Sequence, residues 1–166
     1  MIAAMNKKFM VEQLAARIRE SAQVAMRERA AAAIEARDGA SPDEKRVDGR
    51  VALEYANLAR AQGRRADAAL DDLALLDGFT PPALPPRAPV AIGAIVEVED
   101  GEEGRTIFLA PAGAGIELTM PDGDGFLTVV TPASPLGRAM IGRRVGETVE
   151  VTVKGEPKEW TLTYVG

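Results

Sequence analysis

Five prolines fall between Thr80 and Pro89, in the run Thr-Pro-Pro-Ala-Leu-Pro-Pro-Arg-Ala-Pro, and they divide this chain of 166 residues into two unlike halves. Each proline lacks a backbone N–H and fixes its own φ, so such a run cannot continue a helix and favours an extended, semi-rigid connector. Residues 1–76 hold 20 alanines and a single proline, Pro42, a composition suited to helix. Beyond the prolines come short β-branched runs separated by glycine turns. The expected division is a helical segment over 1–77, a proline-rich linker over 78–90 and a sheet-forming domain over 91–166.

The apolar spacing predicts a first helix from about Asn6 to Arg37, with Val11, Leu14, Ile18, Ala25 and Ala32 as its inward stripe. A second helix is predicted from about Asp43 to Leu76, with Val51, Tyr55, Leu58, Gln62, Ala69, Leu73 and Leu76 in the same role. Each is roughly 50 Å long at 1.5 Å per residue. Near-equal lengths around Asp38-Gly-Ala-Ser-Pro-Asp imply an antiparallel two-helix coiled-coil hairpin. Ser41-Pro42-Asp43-Glu44 has the form of a capped helix start. Alanines dominate the far part of the stripe, so little area is buried there, and Gly63 costs about 1 kcal/mol in a helix interior.

The second half reads as strands at Ile92–Glu99, alternating from Ile95 onward, and at Arg105–Ala110, Gly115–Met120, Phe126–Thr131, Glu147–Val153 and Lys158–Val165. Ser134–Gly142 has room for about two helical turns. The fold class expected is α+β: the hairpin, then a small antiparallel sheet with one short helix.

The composition excludes several chemistries. With no cysteine and no histidine, the chain has no thiolate nucleophile, disulfide frame, zinc site of the usual donors or imidazole-based triad. A metal would have to be held by carboxylates, which suit hard ions such as magnesium. The net charge of −5 argues against coating duplex DNA, although residues 1–76 sum to +1 and residues 77–166 to −6. No apolar run approaches the length of a membrane span, and Met1–Lys8 lacks the order of a secretory signal, so a cytoplasmic protein is expected.

Three sets of residues could carry function. The glycines at Gly113–Gly115 and Gly123–Gly125 lie between strands, so they read as hairpin turns and match no phosphate-loop pattern. Asp122 and Asp124 lack the later glutamate of a calcium loop. Asp38, Asp43, Glu44 and Asp48 crowd the end of the hairpin, where they could simply favour a helix N-terminus. Alternatively, they could help hold a divalent ion that belongs to another protein and activates water for phosphodiester attack. Arg60, Arg64 and Arg65 on the second helix, with Arg17, Arg19, Arg27 and Arg29 on the first, form either a solvated face or a strip for the phosphates of a nucleic-acid strand. No aromatic residue interleaves them, so base stacking is not indicated.

The stretch Thr131-Pro-Ala-Ser-Pro-Leu-Gly-Arg-Ala-Met-Ile-Gly-Arg-Arg-Val-Gly-Glu-Thr-Val-Glu-Val resembles the signature of the Gre family of bacterial transcript-cleavage factors. The resemblance covers about the last seventy-five residues, and a helical hairpin ahead of them agrees with it. It implies an FKBP-like carboxy-terminal domain docked at the secondary channel of bacterial RNA polymerase, and an arm reaching to the polymerase's catalytic centre. There, tip carboxylates would share a magnesium ion with the polymerase, which itself cleaves backtracked RNA. The factor would have no cofactor of its own and would not be an enzyme.

Carried onto this chain, the resemblance implies Asp43, Glu44 and Asp48 as the acting tip acids, with Asp43 and Glu44 on the metal. It also implies Ser134, Pro135, Leu136 and Gly137 as polymerase-binding residues. Their local role would be a capped helix start with a core leucine. Arg60 and Arg64 are the candidates for contact with the nascent RNA 3′ end. The residue three after Asp43 is Arg46, a cation where the family places an acid. A second reading is therefore a channel binder that regulates transcription without supporting cleavage. A prolyl isomerase is disfavoured, because two tyrosines and one tryptophan are too few for an aromatic proline pocket. A scaffold that dimerises through its hairpin predicts a stable dimer, whereas a channel-entering arm predicts a monomer.

Overall fold

The computed structural model describes the backbone of residues 2–38 and 48–166 and the side chains of residues 7–38 and 49–166. Two long helices come first, α1 (Ile2–Asp38) and α2 (Asp48–Leu76). Six strands and one short helix follow: β1 (Ile95–Glu99), β2 (Gly104–Leu109), β3 (Glu117–Thr119), β4 (Phe126–Val130), α3 (Pro135–Met140), β5 (Thr148–Val153) and β6 (Glu156–Val165). The α+β class stands. Among the described residues, no helix is long and apolar enough to cross a membrane.

The chain forms two compact units: Met1–Ala15 together with Leu75–Gly166, and Ala16–Ala74. These lines differ from the division expected at residues 77 and 90, because the root of α1 and the proline run both have partners beside the sheet. Leu84 and Val90 pack into the sheet's core, and Ala88 is buried. The buried Lys7 donates from Nζ to the Pro82 carbonyl at 2.8 Å, and its burial lowers its pKa below the usual lysine value. Leu14 lies against Gly113, where a Cβ would stand 2.6 Å from Leu14 Cδ1 and φ is +86°. Only a glycine satisfies both conditions.

Within the first unit the strand order is β3-β4-β2-β1-β6-β5. The expected all-antiparallel sheet needs one correction, since β4 runs parallel to β2. Residues 110–116 carry the chain past the neighbouring position to β3 at the edge. The β3–β4 hairpin then returns β4 into the gap, held by Ala110 N–H to Val130 O and Gly115 N–H to Val129 O. One face of the sheet bears Val96, Val98, Ile107, Leu109, Trp160 and Leu162, closed by Met140 of α3. Register puts Ile95, Phe108, Val129, Leu127 and Leu118 on the other face, and all are buried. In β6, Pro157 opposes Thr152 and contributes no ladder donor.

In the second unit the helices run antiparallel, with Arg29 and Ala33 of α1 lining the same groove as Gly63 and Ala59 of α2. The α1 stripe is as expected at Ile18, Ala25 and Ala32, joined by Ala22. The α2 stripe holds at Gln62, which is buried, and at Tyr55, Ala69 and Leu73, which are half-buried, and needs correction at two positions. Val51 and Leu58 are 44% and 45% exposed, while Gln62, Gly63 and Ala66 are buried and Ala52, Ala56 and Ala59 half-buried. At those two positions the neighbouring Ala52 and Ala59 are the more buried residues. Alanines on both helices allow close approach, and Val51 and Leu58 are left outside. Gln62 Oε1 is buried without a hydrogen-bond donor among the described residues.

Candidate functional site

The Ser134–Glu147 stretch is built from local hydrogen bonds. Ser134 is extended at ψ 153° and caps α3: its Oγ accepts from Gly137 N–H at 3.1 Å and donates to Thr131 O at 2.8 Å. Pro135 sits at the first helical position, where no N–H is needed. Leu136 packs against the sheet's core. Gly137 is buried, and a Cβ there would collide with the Thr131 carbonyl. Of the four expected polymerase-binding residues, Gly137 is therefore buried, Ser134 and Leu136 are half-buried, and Pro135 alone is exposed.

The stretch closes on the proline run through Val90 N–H to Arg143 O at 2.8 Å and Gly142 N–H to Val90 O at 2.9 Å. Glu147 accepts the Arg144 N–H at 2.6 Å and pairs with Arg143 at 3.3 Å, and these bonds lower its pKa. The surface left outside carries Arg138, Ile141, Arg143 and Val145, all exposed.

At the β1–β2 turn, Asp100 Oδ1 accepts the N–H groups of Glu102 and Glu103 at 3.1 and 2.8 Å, and Oδ2 pairs with Lys158. The Lys158 hydrogen bond is the main reason the Asp100 pKa falls to about 2, and it raises that of Lys158 in return. Lys158 and Arg105 also lie 4.7 and 5.1 Å from the centre of the Trp160 ring. The cluster is saturated by its own contacts and holds the turn.

Arg60 and Arg64 lie one turn apart on α2 and meet Arg29 of α1 around a groove of about 370 Å³, also lined by Ala33, Ala59, Gly63 and Asp67. Arg60 is held by a 2.6 Å bond from Nη2 to Asn57 Oδ1. From the sequence, Arg29 is only one of the seven candidate arginines on the two helices. Its selection by Arg60 and Arg64 depends on the cross-helix register, which no local pattern reveals.

The remaining expected residues are the tip acids. Asp43 and Glu44 lie outside the described residues, as do Ser41 and Pro42 of the expected cap. Asp48 is the first residue of α2, and its side chain is outside the description. Asp38 ends α1 and is exposed. Among the described residues no three acidic side chains gather as a metal site.

Residues 85–166 match the family model described as transcription elongation factor, GreA/GreB, C-terminal domain. No curated protein sequence matches the chain. Among solved structures, the chain is similar to the GreA factor homolog 1 (Gfh1) protein of Thermus thermophilus, at 20% identity over 95% of this chain and 92% of that one, with a TM-score of 0.39. It is also similar to Thermus aquaticus Gfh1, at 16% identity over 99% and 95%, with a TM-score of 0.37. The GreA/GreB factor of Nitrosomonas europaea is 19% identical over 59% and 78%, with a TM-score of 0.36. Scores this low carry no argument, so the assignment rests on the family model together with the Ser134–Glu147 stretch that it contains. Residues 85–166 therefore form a carboxy-terminal domain of the GreA/GreB family of transcription elongation factors.

Proposed function

We propose that this chain binds bacterial RNA polymerase through its sheet-bearing unit and acts on elongation through the acids between its two helices. The observation that carries the reading is the family match over residues 85–166. Factors of this family are not enzymes; they assist the polymerase. The docking surface in this reading is the exposed side of the Ser134–Glu147 stretch: Pro135, Arg138, Ile141 and Val145. Ser134, Leu136 and Gly137 shape that surface from within.

Asp43 and Glu44, aided by Asp48, are the residues proposed to reach the polymerase's active centre. Carboxylate oxygens suit magnesium, and the polymerase would supply the remaining ligands. The outcome would be stimulated cleavage of backtracked RNA, with a bound divalent ion activating the water. Arg46 favours the second reading, a factor that occupies the polymerase without supporting cleavage, because a cation beside the acids weakens their hold on a metal.

The deciding experiment is RNA cleavage by an artificially backtracked elongation complex across a magnesium series, with parent protein and with Asp43→Asn/Glu44→Gln. Stimulation that is greatest at low magnesium and lost in the variant supports the first reading. Binding without stimulation in either protein supports the second. Failure of the full chain to bind polymerase overturns both.

A further inference from the structure

We propose that the Arg29–Arg60–Arg64 groove is a binding site for a compact polyphosphate, such as the triphosphate of a free nucleotide. The site lies wholly within the two-helix unit and does not depend on polymerase binding. Three guanidiniums and one carboxylate, Asp67, line about 370 Å³ of open groove. None of the three arginines forms an ion pair with a carboxylate among the described residues. Arg29, Arg60 and Arg64 therefore border one space with positive charge that no carboxylate among the described residues neutralises by a direct ion pair, an arrangement that suits phosphate oxygens.

The floor of the groove is made of small residues. Ala33 and Ala59 flank Gly63, and a Cβ on Gly63 would stand 3.4 Å from Arg29 Cζ and Nε. That is ordinary contact, so alanine fits sterically, and in a helix interior alanine is better than glycine by about 1 kcal/mol. Adding the methyl group would help the helix while raising the floor and filling space beside the Arg29 guanidinium. The Arg60 bond to Asn57 fixes one side of the cradle and leaves other N–H groups of that guanidinium free.

The chemistry favours a short, charge-dense ligand over an RNA strand. Surfaces that follow single strands pair a basic track with aromatic platforms for the bases. Among the described residues no aromatic side chain lines this groove, and its three arginines border one concavity. Phosphates would be recognised and the base ignored.

The test is calorimetric titration of the full chain at low and moderate salt with sodium tripolyphosphate, ATP, GTP and an oligoribonucleotide lacking terminal phosphates. The expected result is saturable binding of the first three, alike within about threefold because nothing reads the base. Arg29→Ala and Arg64→Ala should each weaken binding on the order of tenfold. Gly63→Ala should weaken it while raising the thermal midpoint, which separates loss of the cradle from loss of the fold. Absence of binding, or binding unchanged in all three variants, overturns the proposal. So does binding of the oligoribonucleotide alone, which would assign these arginines to a strand.

Discussion

The side-chain amide of Gln13 pairs with both backbone groups of Thr119: its Oε1 accepts the Thr119 N–H at 2.7 Å, and its Nε2 donates to the Thr119 carbonyl at 3.3 Å. Thr119 ends β3, the outer strand beside β4. One glutamine of α1 thus serves the strand edge as a neighbouring strand would. It satisfies groups that would otherwise invite foreign pairing.

Gln13→Ala removes both bonds and should cost about 1–2 kcal/mol, since the partners it leaves are partly buried. Chemical denaturation gives the stability, and faster amide exchange at Thr119 locates the loss. Gln13→Glu keeps an acceptor for the N–H but loses the donor, so it should fall between parent and alanine variant. An exchange rate at Thr119 unchanged by Gln13→Ala would show that the pairing contributes nothing.

Gly137→Ala should be the most disruptive small change in the sheet-bearing unit, because the new methyl group meets the backbone carbonyl of Thr131. A loss above about 3 kcal/mol, or failure to fold, is expected from overpacking against backbone. Ser134→Ala removes only the α3 cap and should cost about 0.5–2 kcal/mol. Thermal melts of the two variants should rank them in that order.

Asp100 has a pKa of about 2 in the folded chain, against an ordinary value of 3.8. A group depressed on folding stabilises the native state above its unfolded pKa, and that contribution disappears as pH falls through the folded one. The parent should therefore lose stability between about pH 4 and pH 2 more steeply than Asp100→Asn. Trp160, the single tryptophan, lies beside Lys158 and Arg105, so its fluorescence reports the same transition.

Gln62→Leu should raise stability by about 1 kcal/mol, because it replaces a buried oxygen that has no donor with an apolar group. The thermal midpoint measures this directly. A lower midpoint would mean that water or an undescribed residue serves Gln62 Oε1.

The strands were legible because their apolar alternation and glycine turns are local. Ile95–Glu99 and Phe126–Val130 fall within a residue of where period-2 spacing puts them. The parallel placement of β4 was not legible, since it depends on where residues 110–116 carry the chain. The exposure of Val51 and Leu58 on α2 was not legible for a related reason. Hydrophobicity selects Val51 and Leu58, but a partner helix lined with alanines selects the small residues beside them. In the candidate site, the Ser-Pro-Leu-Gly run was readable as a helix start with a core leucine, and the burial of Gly137 against the Thr131 carbonyl was not. The three-arginine groove needed the pairing of Arg29 with Gly63, a relationship between residues on different helices.

The compact unit that holds the sheet is discontinuous in sequence, joining residues 1–15 to residues 75–166. During synthesis, Leu14 and Gln13 leave the ribosome about a hundred residues ahead of Gly113 and Thr119, so the nascent chain must hold an unmatched stretch until the last strands emerge. A fragment cut at the proline run would contain every strand and still lack part of its own interior. Biochemical dissection of this protein is therefore better done by substitution within the whole chain than by splitting it.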